Sequence, residues 1–202
     1  MATTKTSIGS AALRMLGKPR IDSFASGGPA GQVLEDIYED KVEDLLRKHI
    51  WNFAVTRDSL SETTPAPAWG FDHSYALPTD CLRVLSIEDD EYTSGEKWQV
   101  EGRVIVTDCD APLKIRYIRR ADEHEFDSAF KECLAAVLAA EMAQALTKNI
   151  DLQDELQKEA ERKFRLAKGA DGQEGTAPTL KLRTWVSAKH HGAGGDPSRW
   201  GR

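Results

Sequence analysis

Apolar positions recur at three- and four-residue spacing near both ends of this chain, and they alternate in its middle. Residues Thr6 to Leu16 predict a short helix, with Ile8, Ala12, Leu13 and Leu16 on one face. Gly17 and Pro19 then stop it, because glycine takes the left-handed cap and proline cannot continue a helix. Ser23 to Gly31 reads as a loop. A second helix is predicted from Gly31 to His49. Val33, Leu34, Ile37, Tyr38, Val42, Leu45 and Leu46 form its apolar face; Glu35, Asp36, Glu39, Asp40, Glu43 and Asp44 form the opposite one. Lys48 and His49 suit the negative C-terminal end of that helix.

The period changes at Trp51. Trp51, Phe53 and Val55 alternate with Asn52, Ala54 and Thr56, which predicts a strand that follows the helix without a glycine or proline between. Ser61 to Gly70, "SETTPAPAWG", is a proline-punctuated loop. In "YALPTDCLRVLSI" Pro78 interrupts any strand and Asp80 is placed to cap a single turn. Leu82, Val84 and Leu85 are core candidates. Lys97–Arg103, Val104–Asp108 and Leu113–Arg120 predict three short strands, with "CDAP" as a turn before the last.

From Asp122 the period returns to that of a helix. Phe126, Phe130, Leu134, Leu138, Met142 and Leu146 are spaced by four, Cys133, Val137 and Ala145 widen the stripe, and alanines cover much of the remainder. Such a helix can approach neighbours closely on more than one side. Asp122 with Glu125 reads as a capping box, and Asp127 competes as the cap. After a break near Asn149 and Asp151, Leu152, Leu156, Ala160, Phe164 and Ala167 define a last helix, which fades into a linker-like "KGADGQEGTAP". The expected fold class is α+β: a bundle of about four helices (1–50 and 121–175), a β-rich insertion between the second and third helices (51–120), and an extended C-terminal tail (176–202).

Charge sharpens this division. The 202 residues carry a formal net charge of −6. From Thr176 onward there are five basic residues (Lys181, Arg183, Lys189, Arg199 and Arg202) and one acid, Asp196. The remaining body holds 22 basic and 32 acidic residues, a net −10. An acidic body with a basic tail is an arrangement suited to finding a partner. The tail has no helical or strand period, yet it keeps Leu180, Leu182, Trp185, Val186 and Trp200. No apolar run approaches the ~20 residues that a membrane span needs, and the opening residues do not read as a secretory signal. Cys81, Cys109 and Cys133 lie far apart, as reduced and partly buried thiols do.

Catalytic motifs are scarce. "ASGGPAG" lacks the lysine and hydroxyl residue of a phosphate loop, and no strand precedes it. His190 and His191 lie in the glycine-rich tail, and His49 sits at a helix end. Glu123 and Glu125 flank His124, but adjacent helical positions point in different directions. Asp108 and Asp110 share one side of a strand end. A glycosidase needs two carboxylates at a set separation across a cleft, and in so acidic a chain chance proximity explains that pair. No cofactor or metal site is expected.

Four stretches in order carry a likeness: "IGSAALRMLGKPRIDSF", "LLRKHIWNFAVTRDSL", "YALPTDCLRVLSI" and "IRYIRRADEHEFDSAFKECLAAVLAAEMAQALTKN". Together they resemble the head-to-tail adaptor of tailed bacteriophages, the tail tubular protein A family of short-tailed phages. The likeness spans Ser7 to Lys168. Its most specific parts are His-x-Trp-Asn-Phe-Ala (His49–Ala54) and Tyr-x-Leu-Pro-x-Asp-Cys-Leu-Arg (Tyr75–Arg83).

The resemblance implies a structural virion protein rather than an enzyme, made in the host cytoplasm and resident at the head-tail junction. Such proteins form a ring, usually of twelve copies, below the portal protein. They extend the DNA channel and present a platform to the distal tail protein, a nozzle or tail tube. Double-stranded DNA passes through without sequence-specific binding, and no membrane is involved. On this reading His49, Trp51, Asn52 and Phe53 form a structural hinge between bundle and insertion. Leu182, Arg183, Trp185, Lys189, Arg199 and Trp200 dock the tail on the portal or a neighbouring copy. Two alternatives stay open: a cell-wall glycan hydrolase using Asp108, Asp110 or Glu123, and a small DNA-binding regulator built on the first two helices. The acidic face of the second helix weighs against the latter.

Overall fold

The computed structural model describes residues 4–63, 65–87 and 97–174. Among the described residues, four α-helices and two small antiparallel sheets make an α+β protein, with the described strands between the second and third helices in chain order. Helix α1 (Lys5–Met15) opens on a reciprocal cap. The Thr4 hydroxyl accepts from the Ser7 amide, and the Ser7 hydroxyl accepts from the Thr4 amide. Helix α2 (Gly28–Lys48) begins with Pro29 in its first turn. Gly31 is forced by packing: a Cβ there would lie 2.1 Å from the Phe24 carbonyl oxygen, so only glycine lets the incoming loop lie on the helix.

The chain after α2 departs from the expected strand. Asn52–Ala54 is a turn of 3₁₀ helix, and strand β1 begins only at Val55 (Val55–Leu60). The alternation of Trp51 and Phe53 is therefore not a pleat. Trp51 and Ala54, three residues apart on the tight turn, are the buried pair, and Phe53 is half-buried. Strands β2 (His73–Ala76) and β3 (Cys81–Ile87) follow, separated by the Pro78 turn. Strands β4 (Trp98–Glu101), β5 (Val104–Thr107) and β6 (Leu113–Arg119) match the expected three. Leu82, Val84 and Leu85 are half-buried rather than fully so. Tyr117 donates to the Asp80 carboxylate, which thus holds a strand instead of capping a turn.

One sheet has the order β1-β6-β3 and the other β2-β5-β4. Two apolar clusters result. The larger joins the helices to Ile118 and Ala121, with Leu82 and Leu85 packed against it. The smaller lies among the strands and includes Tyr75, Ile105, Leu113, Ile115 and Tyr117. Alternation along β6 divides its side chains between the two clusters.

Helix α3 (Ser128–Thr147) starts after Asp127, with no side-chain cap bond. The Glu125 carboxylate does accept from the Asp122 amide, but in a turn ahead of the helix, so the expected capping box marks a turn. Helix α3 packs against α1, α2 and α4 (Ile150–Glu174). Ala135, Ala136, Ala139, Ala140 and Ala143 are buried and permit that approach on several sides. Lys148 takes the left-handed cap conformation, and the Asn149 side chain accepts from the Leu152 amide to start α4. Helix α4 does not fade near Lys168; it continues through Gly169 and Gly172 to Glu174. No described helix is long and apolar enough to cross a membrane.

Candidate functional site

The stretch from His49 to Ala54 sits where α2, the 3₁₀ turn and the end of α4 meet. A helix leaves its last four carbonyls without partners. Here Trp51 is fully buried, and its indole N–H donates to the Leu45 carbonyl at 2.9 Å. The Arg83 guanidinium donates to the Arg47 carbonyl at 3.1 Å, from β3, and brings positive charge to the negative end of α2. Trp51 also anchors an aromatic group. Its ring lies 5.0 Å from Phe130 and 4.8 Å from His49, both edge-on, and 6.0 Å from the stacked Phe53. Phe126 and Phe130 are 4.7 Å apart and complete the contact with Phe53.

Asp171 closes the join from α4. Only 5 % exposed, it is bound on several sides. The Asn52 amide donates to one carboxylate oxygen at 2.8 Å, and His49 Nε2 lies 3.0 Å from the other. The Asn52 side-chain amide donates to the Asp171 carbonyl at 2.7 Å. A buried carboxylate without such partners would be costly. Sequence reading missed Asp171 altogether, since it lies between two glycines in a stretch of linker composition. Its signal was an acid in register with Ala160, Phe164 and Ala167, four residues past the last of these on the buried face of α4.

A second electrostatic group borders the join. Arg120 pairs with Glu39 of α2 at 2.5 Å and with Glu123 at 2.9 Å. Burial opposes the charge on Glu123, but the Arg120 hydrogen bond and charge hold its carboxyl below the usual range. The neighbouring Arg119 holds Glu125 down to about 2, chiefly through its hydrogen bonds. Burial pushes the Tyr38 phenol well above its ordinary value.

Of the carboxylates considered for catalysis, Asp108 and Asp110 lie in the link between β5 and β6, and Glu123 in the turn before α3. Glu123 is committed to Arg120. Asp108 accepts from the Asp72 amide, and Asp110 stands 3.5 Å from His73, whose other ring nitrogen is 2.8 Å from Glu62. Hydrogen bonding to Glu62 raises the His73 pKa. Asp122, His124 and Glu125 have ligand atoms within 4.8 Å of one another, but Glu125 is already engaged by Arg119. The three cysteines are buried and in no disulfide, and burial pushes Cys133 up to about 11. The expected tail-docking residues Leu182, Arg183, Trp185, Lys189, Arg199 and Trp200 lie outside the described residues.

Of the four hinge residues, His49 and Asn52 bind Asp171, while Trp51 and Phe53 hold the aromatic group. Together they make a fastened junction. No protein-family model matches this chain, and no curated protein matches it either.

Proposed function

We propose that this protein is a ring-forming assembly subunit, a head-to-tail adaptor of the short-tailed phage type. The observation that carries the reading is a convergence. His49, Trp51 and Asn52 from one stretch of the resemblance, and Arg83 from the other, meet at the C-terminal end of α2. Residues this far apart in sequence serve one purpose there: they hold the strands at a fixed angle to the helices. A subunit that must repeat around a ring needs such an angle, because a small error per copy accumulates until the ring cannot close.

On this reading residues 1–50 and 121–175 form the bundle domain, residues 51–120 an insertion, and the tail the connector to the portal or a neighbour. The protein is not an enzyme. It resides at the head-tail junction of the virion, binds the portal above and the distal tail protein below, and surrounds passing DNA. The acidic face of α2 suits a wall that DNA must slide past, since like charge opposes adhesion. Glu35 and Asp44 on that face are partly balanced by Lys5 and Lys48.

The deciding experiment is the mass of the purified protein, alone and with portal rings. Bodies of net −10 repel one another, so the protein alone in dilute solution is expected to be largely monomeric, with a bound ring forming on the portal. A chain that never binds the portal would sink the reading. Stable rings in dilute solution without a portal would refute assembly on contact.

A further inference from the structure

Away from the join, the β2-β5-β4 sheet carries an open groove of about 580 Å³. Val104 and Val106 of the central strand β5 contribute to its floor, Glu101 of the edge strand β4 stands at its rim, and the loop bearing Pro67, Trp69 and Phe71 forms its wall. Trp69 is 88 % exposed. An aromatic side chain left in water beside an apolar groove marks a contact surface. The surroundings are acidic. Glu101 lines the groove, and Asp108 accepts from the Asp72 amide at the end where β2 begins, while Glu62 and Asp110 flank His73 on the other face of the sheet. Among the described residues, His73 is held by Glu62 and Asp110, Arg103 is committed to the carbonyls of Pro78 and Cys81, and Lys97 immediately precedes β4.

The chain carries the complementary chemistry in a segment outside the described residues. Leu180-Lys181-Leu182-Arg183-Thr184-Trp185-Val186 alternates so that, when extended, Leu180, Leu182 and Val186 share one side and Lys181, Arg183 and Trp185 the other. The tail from Thr176 is net +4, against −10 for the body.

We propose that residues 180–186 of one copy seat in the groove of a second copy. The aliphatic side lies on the sheet. Lys181 and Arg183 meet the acidic rim, and Trp185 packs on Trp69. Each copy then offers one groove and one tail, a head-to-tail contact of the kind that closes into a ring. A +4 tail on each neighbouring body also offsets the repulsion between bodies. The proposal rests on the ring reading only in taking the second copy as the occupant.

The test uses the full chain, with normal and nitrogen-15-labelled protein mixed in equal amounts over a concentration series. A carbodiimide joins lysines to touching carboxylates, and mass spectrometry reads the Lys181–Glu101 link. Links of mixed isotope at the statistical proportion are expected. Trp69→Ala should lower their yield about tenfold while leaving the melting temperature unchanged, because Trp69 supports no core. Same-isotope links alone would place the tail in its own groove and overturn the proposal. Lys181 joined only to other faces, or no link at any concentration, would overturn it too. Ring formation on the portal is read separately by mass. Rings without the mixed link refute this contact and leave the connector reading intact. Mixed links without rings do the reverse.

Discussion

The helical cluster and the β2-β5-β4 sheet have opposite economies of surface. In the helices most large apolar side chains are covered, with Ile150 and Leu166 of α4 the exceptions among the described residues, and the Trp51 indole and the Asp171 carboxylate at the join have named partners. The sheet, with a much smaller core, leaves Trp69 in solvent beside a groove on one face and Trp98 and Val100 partly exposed on the other. Their difference separates two roles: the helices and the join supply a rigid body, and the sheet supplies a surface that another chain can cover. Substitutions should therefore divide into those that melt the protein and those that leave it folded but alone.

The largest effect is expected at Trp51. Truncating a fully buried aromatic costs ~3–5 kcal/mol, and Trp51→Ala also strips the Leu45 carbonyl of its donor. The variant should melt far lower or fail to fold, as followed by circular dichroism. Wild-type melting would show that the join is peripheral.

Next come two truncations that differ by a few residues. Ending the chain after Glu174 keeps Asp171, and the melting temperature should barely change. Ending it after Gly169 removes the partner of Asn52 and His49, at a cost of ~1.5–3 kcal/mol for hydrogen bonds to a charged group. Equal melting of the two would mean that Asp171 fastens nothing. The first truncation should also abolish portal attachment if the tail is the connector.

A smaller effect is expected in acid. The folded pKa of Glu125, about 2, lies below its ordinary 4.5. Its pairing with Arg119 therefore contributes stability that is present above about 4.5 and is lost as the pH falls toward 2. The pair is partly exposed, so the contribution is about 1 kcal/mol or less. Glu125→Gln should melt slightly below wild type at neutral pH, and the gap should close near pH 2. A gap independent of pH would assign the effect to packing.

The smallest is Trp69→Ala, with a change in stability within ~0.5 kcal/mol, as expected of an exposed site. A large loss would place Trp69 in the fold rather than at a contact.

Much of this architecture was legible residue by residue. The stripe from Phe130 to Met142 foretold a helix covered on several sides, and the acidic face of α2 foretold its exposure. Three features misled. Trp51 and Phe53 are two apart, which suits a pleat. The same residues also fit a 3₁₀ turn, and the partners Leu45 and Phe130 chose the turn. Gly169 and Gly172 suggested a linker, yet packing of Ala167 and the bonds of Asp171 extend α4 past the former and through the latter, overriding local propensity. Glu125 and Asp122 did form half of a capping box, but Arg119 took the carboxylate and the helix began later.

Local spacing determined the helices, the order of elements and the contrast between body and tail, because periodicity and charge are properties of neighbours along the chain. Only the tertiary structure decided that His49 and Asn52 would grip an acid more than a hundred residues away. The same holds for Arg83, which reaches back to finish α2, and for the open groove beside Trp69. Burial creates the demand for a partner at each buried polar atom, and which residue meets that demand depends on what the fold brings near.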